Sequence, residues 1–98
     1  MNNKILIYLV DDLVNLPDDA KFSGDAIDYG FETGGKYYFE LEELQDIYSN
    51  DARGVEFFKL LRAFDKAQEN KLEFEVHSET SNPAYENIIK AFSQNVRK

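Results

Sequence analysis

An α+β fold in one small domain, residues 1–98, is what this sequence predicts, with a mostly antiparallel sheet and two main helices packed on one face. Three observations lead there. Apolar runs with strand character lie at 4–10, 27–31, 36–41 and 72–77. A Gly-Gly pair sits between the second and third of them. Two long stripes of helical spacing occupy the second half. The order reads β-β-β-(short α)-α-β-α.

The first strand is Lys4 to Val10, a continuous apolar run that reads as a central strand covered on both faces. Asp11-Asp12 ends it, and Pro17-Asp18-Asp19 reads as a turn. Residues 18–26 read as an exposed loop or a short edge strand through Phe22. Ile27 to Phe31 and Lys36 to Leu41 then flank Thr33-Gly34-Gly35, a hairpin signal. One face of this hairpin would be apolar (Ile27, Tyr29, Phe31, Tyr37, Phe39), the other acidic with Tyr38. Leu41, Leu44, Ile47 and Tyr48 repeat as in a short helical turn.

Ser49-Asn50-Asp51 supplies N-cap residues for a helix over about 52–69, its apolar stripe drawn from Val55, Phe58, Leu60 or Leu61, and Phe64, with Asn70 as its stop. Leu72, Phe74 and Val76 alternate with polar residues as a half-buried strand. Asn82-Pro83 opens the last helix, striped by Tyr85, Ile88, Phe92 and Val96, with Arg97 and Lys98 near its C-terminus.

Composition bounds the function. The chain carries fourteen aromatics, eight Phe and six Tyr, and no Cys. That content argues for a packed core and against disorder, and it excludes disulfides and thiolate metal sites. The longest apolar run, Ile5 to Val10, is too short for a membrane span, and no signal peptide is visible; a cytoplasmic location is expected. The formal charge is −8. It comes from one limb: between Asp11 and Asp46 stand eleven carboxylates against two lysines, whereas residues 51–98 carry eight acids and eight bases. A chain of this charge repels phosphate backbones and anionic lipid, so neither direct nucleic-acid binding nor membrane binding is expected.

No catalytic signature is present, and the chain reads as no enzyme and without a cofactor. An apolar strand ending in Asp11-Asp12 resembles the opening of response-regulator receiver domains, where such a pair helps to hold Mg²⁺. The resemblance covers only Ile5 to Asp12, and the phosphoacceptor Asp, the late Lys and the β-α rhythm of that family are missing. Asp18, Asp19, Asp25 and Asp28 lack the spacing of an EF-hand loop, so no metal is expected. His77, the only histidine, reads as a surface residue between Glu75 and Glu79. Gly34-Gly35 lacks the Lys-Ser/Thr ending of a phosphate-binding loop.

The acidic limb is the remaining signal. Interleaved with tyrosines, which give rigid amphipathic contact area, it points to a partner rich in Arg and Lys. The candidate interface begins with Asp18, Asp19, Asp25, Asp28 and Tyr29. It continues through Glu32, Tyr38, Glu40, Glu42 and Glu43. The expected function is a non-catalytic acidic inhibitor that neutralises a basic nucleic-acid-handling protein. Small, acidic, cysteine-free and aromatic-rich, the chain is similar to bacterial immunity proteins, which implies a nuclease toxin as partner; an antitoxin role is equivalent. The alternatives are a phage-type DNA mimic with anti-restriction or anti-CRISPR action, and a small enzyme or adaptor domain with an unrecognised site. Charge reversal at Asp25 and Asp28 is expected to slow association and leave stability nearly unchanged.

Overall fold

In the computed structural model, which describes residues 3–49 and 54–96, β1 (Lys4–Val10) is the central strand. The two-residue β2 (Lys21–Phe22) leads directly into helix α1 (Ser23–Tyr29). Strand β3 (Lys36–Glu40) leads as directly into α2 (Leu41–Ser49), and α3 (Val55–Glu69) follows. Strand β4 (Glu73–Glu79), a single 3-10 turn (Pro83–Tyr85) and α4 (Glu86–Val96) complete the chain. The sheet order is β2-β3-β1-β4, and every pairing is parallel.

The mostly antiparallel sheet expected from the sequence is therefore wrong. The predicted hairpin is the source of the error. The first three residues of its first arm, Ile27 to Tyr29, are the end of helix α1, in which Ser23, Ala26 and Ile27 turn inward at helical spacing. Asp25 Oδ2 accepts the Phe22 N–H at 2.7 Å at the start of α1. Gly30, at φ 82°, stops the helix in a conformation that costs other residues more. The glycines at 34 and 35 do not reverse the chain onto a partner arm. They lead it into β3 beside β1, with Gly34 N–H donating to Lys4 O and Leu6 N–H to Gly35 O. Gly35 is required for space, since a Cβ there would stand 2.6 Å from the Tyr37 ring.

Four helices, not two main ones, share one face of the sheet. Ile5, Ile7 and Leu9 of β1 and Tyr37 and Phe39 of β3 form one core with Ala26, Leu41 and Leu44, and with Leu60, Phe64, Ile88 and Phe92. The α3 stripe is rotated from the expected one. Leu60, Ala63, Phe64 and Ala67 face inward, while Val55 and Phe58 are 68% and 54% exposed. Phe64 is the hub, with ring centroids 5.1 Å from Phe31, 5.4 Å from Phe74 and 5.4 Å from Phe92.

The other face of the sheet bears Leu6, Tyr8 and Val10, Lys36, Tyr38 and Glu40, and Glu75, His77 and Glu79. None of these joins the core cluster. The strand predicted to be covered on both sides is covered by helices on one. All-parallel sheets almost always have both faces covered. The connections β2→β3 and β3→β4 step the same way along the sheet and carry the helices. The step β1→β2 runs back the other way through residues 11–20, and the right-handed rule for parallel crossovers puts such a return on the opposite side.

The hydroxyl of buried Tyr37 accepts the Glu32 N–H at 2.8 Å, and burial raises its pKa above 10.0. The folded state thus holds this proton more tightly than the unfolded chain. The resulting stability is present below pH 10 and lost as pH rises through the folded value. Tyr37→Phe should flatten the alkaline limb of the stability–pH curve and lower stability at pH 7 by about 1 kcal/mol. Denaturant titrations at pH 7 and pH 11 check both effects.

Candidate functional site

Parity places Phe22, Tyr38, Tyr8 and His77 in one row across the open face, since Phe22 pairs with Tyr38, Tyr38 with Tyr8 and Tyr8 with His77. The middle of the row is stacked. Tyr8 lies 4.9 Å from Tyr38 and 5.3 Å from His77, with interplanar angles of 16° and 18°. These separations are close to the strand spacing, so the rings stand upright side by side across the face. His77 Nε2 meets Glu75 Oε2 at 2.8 Å, and Lys4 Nζ meets Glu75 Oε1 at 3.4 Å. His77 and Lys4 together hold the Glu75 carboxyl below its ordinary pKa.

Parallel strands bring all their carboxyl ends to one edge, where ligands of such sheets commonly bind. Here that edge is acidic. Burial raises the Tyr85 hydroxyl above its ordinary pKa, and Glu42, Asp11, Glu40 and Asp12 raise it further. Burial does the same for Tyr38, reinforced by Tyr8, Glu79 and Asp19. Thr80 Oγ1 donates to Asp11 Oδ1 at 2.6 Å, tying the end of β1 to the segment after β4.

The ten residues expected to form an interface are divided by this geometry. Tyr38 stands on the open face, Glu40 and Glu42 lie at the carboxyl edge, and Asp18 and Asp19 belong to the exposed 11–20 segment. Glu43 is on α2 and accepts the Ser23 hydroxyl at 2.6 Å. Glu32 lies before the other end of β3, roughly 13 Å away at about 3.3 Å per residue, paired with Lys21 at 3.3 Å. Asp28 and Tyr29, the latter 82% exposed, line a groove of about 690 Å³ between α1 and α3, opposite Lys59, Arg62 and Lys66.

Asp25 has a structural role at the start of α1, which revises the expectation that its reversal is neutral. Asp25→Lys should cost about 1 kcal/mol through the lost Phe22 bond, whereas Asp28→Lys should leave the melting temperature within a degree or so. Thermal melts of the two single variants separate these effects.

Tyr8, His77, Glu79 and Tyr85 were missed as site residues. The signal for Tyr8 and His77 was parity: once β1 and β4 are parallel neighbours, their even and odd positions respectively share the open face. Among the described residues no three His, Cys, Asp or Glu side chains come together as metal ligands, and no helix is long and apolar enough to cross a membrane. No protein-family model, curated protein or solved structure matches the chain.

Proposed function

We propose that this chain is a non-catalytic acidic inhibitor that docks on a basic nucleic-acid-handling protein, in the manner of a cytoplasmic immunity protein or antitoxin facing a nuclease toxin. The observation that carries this reading is the convergence of carboxylates on the carboxyl edge of a sheet whose aromatic face no helix covers. Asp11 and Asp12 follow β1, Glu40 ends β3, Glu42 stands in the first turn of α2 and Glu79 ends β4, all at that edge; the first four raise the Tyr85 pKa, and Glu79 and Asp19 raise that of Tyr38. Carboxylates around tyrosines suit an Arg- and Lys-rich surface: the charge steers the encounter, and the rings supply contact area. A phosphate-binding groove on the partner would present that chemistry, and filling it would block the nucleic acid.

The test compares the wild-type chain with a Tyr8→Ala/Tyr38→Ala variant as immobilised bait, in extract from the source organism. A protein held by the first and released by the second is purified and assayed as a nuclease with increasing amounts of this chain. Stoichiometric inhibition of a basic nuclease, relieved by salt, supports the reading. A restriction or CRISPR effector in its place would favour the DNA-mimic reading. Retention by both baits, or a captured partner that is not basic, overturns the assignment of this face.

A further inference from the structure

We infer that the free edge of β4 receives an extended basic segment of the partner as a fifth strand. This rests on the basic-partner reading above and specifies the form in which the partner arrives. Strand β4 is seven residues long, ends the order β2-β3-β1-β4, and has β1 as its one strand neighbour among the described residues. Its outward backbone N–H and C=O groups therefore form a template for strand addition. The opposite edge is the two-residue β2, too short to offer one.

The side chains of β4 specify the occupant. Glu73, Glu75, His77 and Glu79 point to the open face, while Phe74, Val76 and Ser78 point to the core side. Phe74 and Val76 are half-buried against the core, so the layer beside them ends in incompletely covered apolar surface. An added strand would place alternate residues beside these two sets. Those on the open side would meet Glu73 and Glu79, on either side of a Glu75 already paired with Lys4 and His77, and want Lys or Arg. Those on the core side would extend the layer of Phe74 and Val76 and want Val, Ile or Leu. Opposite charges and apolar pairs across neighbouring strands stabilise a sheet, and like charges oppose it.

The same rule disfavours a second copy of this chain. An antiparallel pairing centred on Val76 sets Glu73 against Glu79 at both ends, with Glu75 opposite His77 between them. Glutamates along an edge strand prevent self-pairing, and here the same residues select a cationic strand.

The probe is a nine-residue peptide alternating Lys and Val, blocked at both termini, titrated into the intact chain at low salt. Amide exchange and shift changes are followed by NMR. The expected result is saturable binding with slowed exchange at alternate amides between Phe74 and Ser78. It should be lost when alternate peptide amides on one edge are N-methylated, and weakened at least tenfold by Glu73→Lys/Glu79→Lys, which alters exposed side chains and spares the core. An alternating Glu-Val peptide should not bind. No binding, or binding that leaves β4 exchange unchanged, overturns the inference, as does concentration-dependent protection of β4 without peptide, which would identify a second copy as the occupant. The inference and the inhibitor reading fail separately. A captured nuclease that is inhibited while β4 amides exchange as in the free chain keeps the inhibitor and removes the strand. Peptide binding at β4 without any inhibited nuclease does the reverse.

Discussion

Phe64→Ala should cost about 3–5 kcal/mol, among the largest losses expected from a single truncation in this chain. Phe64 is 1% exposed and lies against Phe31, Phe74 and Phe92, so its removal leaves a cavity bordered by residues of the α1–β3 connection, β4 and α4. Those neighbours are themselves rings, stiff and mutually packed, which limits collapse into the void. A domain of this size holds only about 5–15 kcal/mol of net stability, so about a fifth or more would be lost. Phe58→Ala is the matched control. Phe58 belongs to the stripe read from the sequence, yet it is half exposed on α3, and its truncation should change stability by less than about 1 kcal/mol. Denaturant unfolding of the two variants at unchanged slope would establish the register of α3. Equal losses would place the helix in the orientation first expected.

The second large effect concerns association. Asp12→Lys, Asp19→Lys and Glu42→Lys together reverse three exposed carboxylates of the edge that acts on Tyr38 and Tyr85. The on-rate for the captured basic partner should fall by ~10–1000-fold at low salt, with the difference shrinking as salt screens the encounter. The dissociation rate should change less, because rim charges act mainly on approach. Stability should change little, since relief of like-charge repulsion is offset by the loss of Glu42 from the first turn of α2. The control is the same sign reversal at Asp65 and Glu69, on the groove side of α3, where a smaller rate change is expected. Stopped-flow association at two salt concentrations distinguishes a directed edge from a general effect of net charge. Equal slowing by both sets would reduce the edge to one acidic surface among others.

Where the apolar spacing was unambiguous, the sequence reading and the structure coincide. The central β1, the short α2, the strand through Phe74 and Val76, and the last helix with its Asn82 cap all stand where periodicity put them, and Asn82 Oδ1 accepts the Ala84 N–H at 3.0 Å. Short segments carried too little period. Ile27, Tyr29 and Phe31 alternate over five residues, and α1 fits the same letters at helical spacing. The physical cues that favour the helix are local: the Asp25 bond to the Phe22 amide and the Gly30 stop. In α3 the inward face includes Ala63 and Ala67, small residues with a weak hydrophobic signal, while Val55 and Phe58 carry a strong signal on the wrong side. Strand direction is not encoded in alternation at all, and it decides the site. Parallel pairing gathers Asp11, Asp12, Glu40 and Glu42 at one edge and sends Glu32 to the other end of β3. The acidic limb was legible as charge; its division between two ends of the sheet was not.

The parallel register also bears on how the molecule is made. Every residue of β4 pairs with a residue of β1 about 70 positions earlier. On a ribosome adding ~5–20 residues per second, β1 emerges several seconds before the neighbour that completes its flank. During that interval Ile5, Ile7 and Leu9 belong to an apolar strand with an open side, a species prone to join other nascent chains. Contacts this distant in sequence also slow the search for the native pairing. A strand that waits longest for its partner sits at the centre of the finished sheet, so chaperone capture and early degradation should act on this chain before β4 is synthesised and relax sharply once it is.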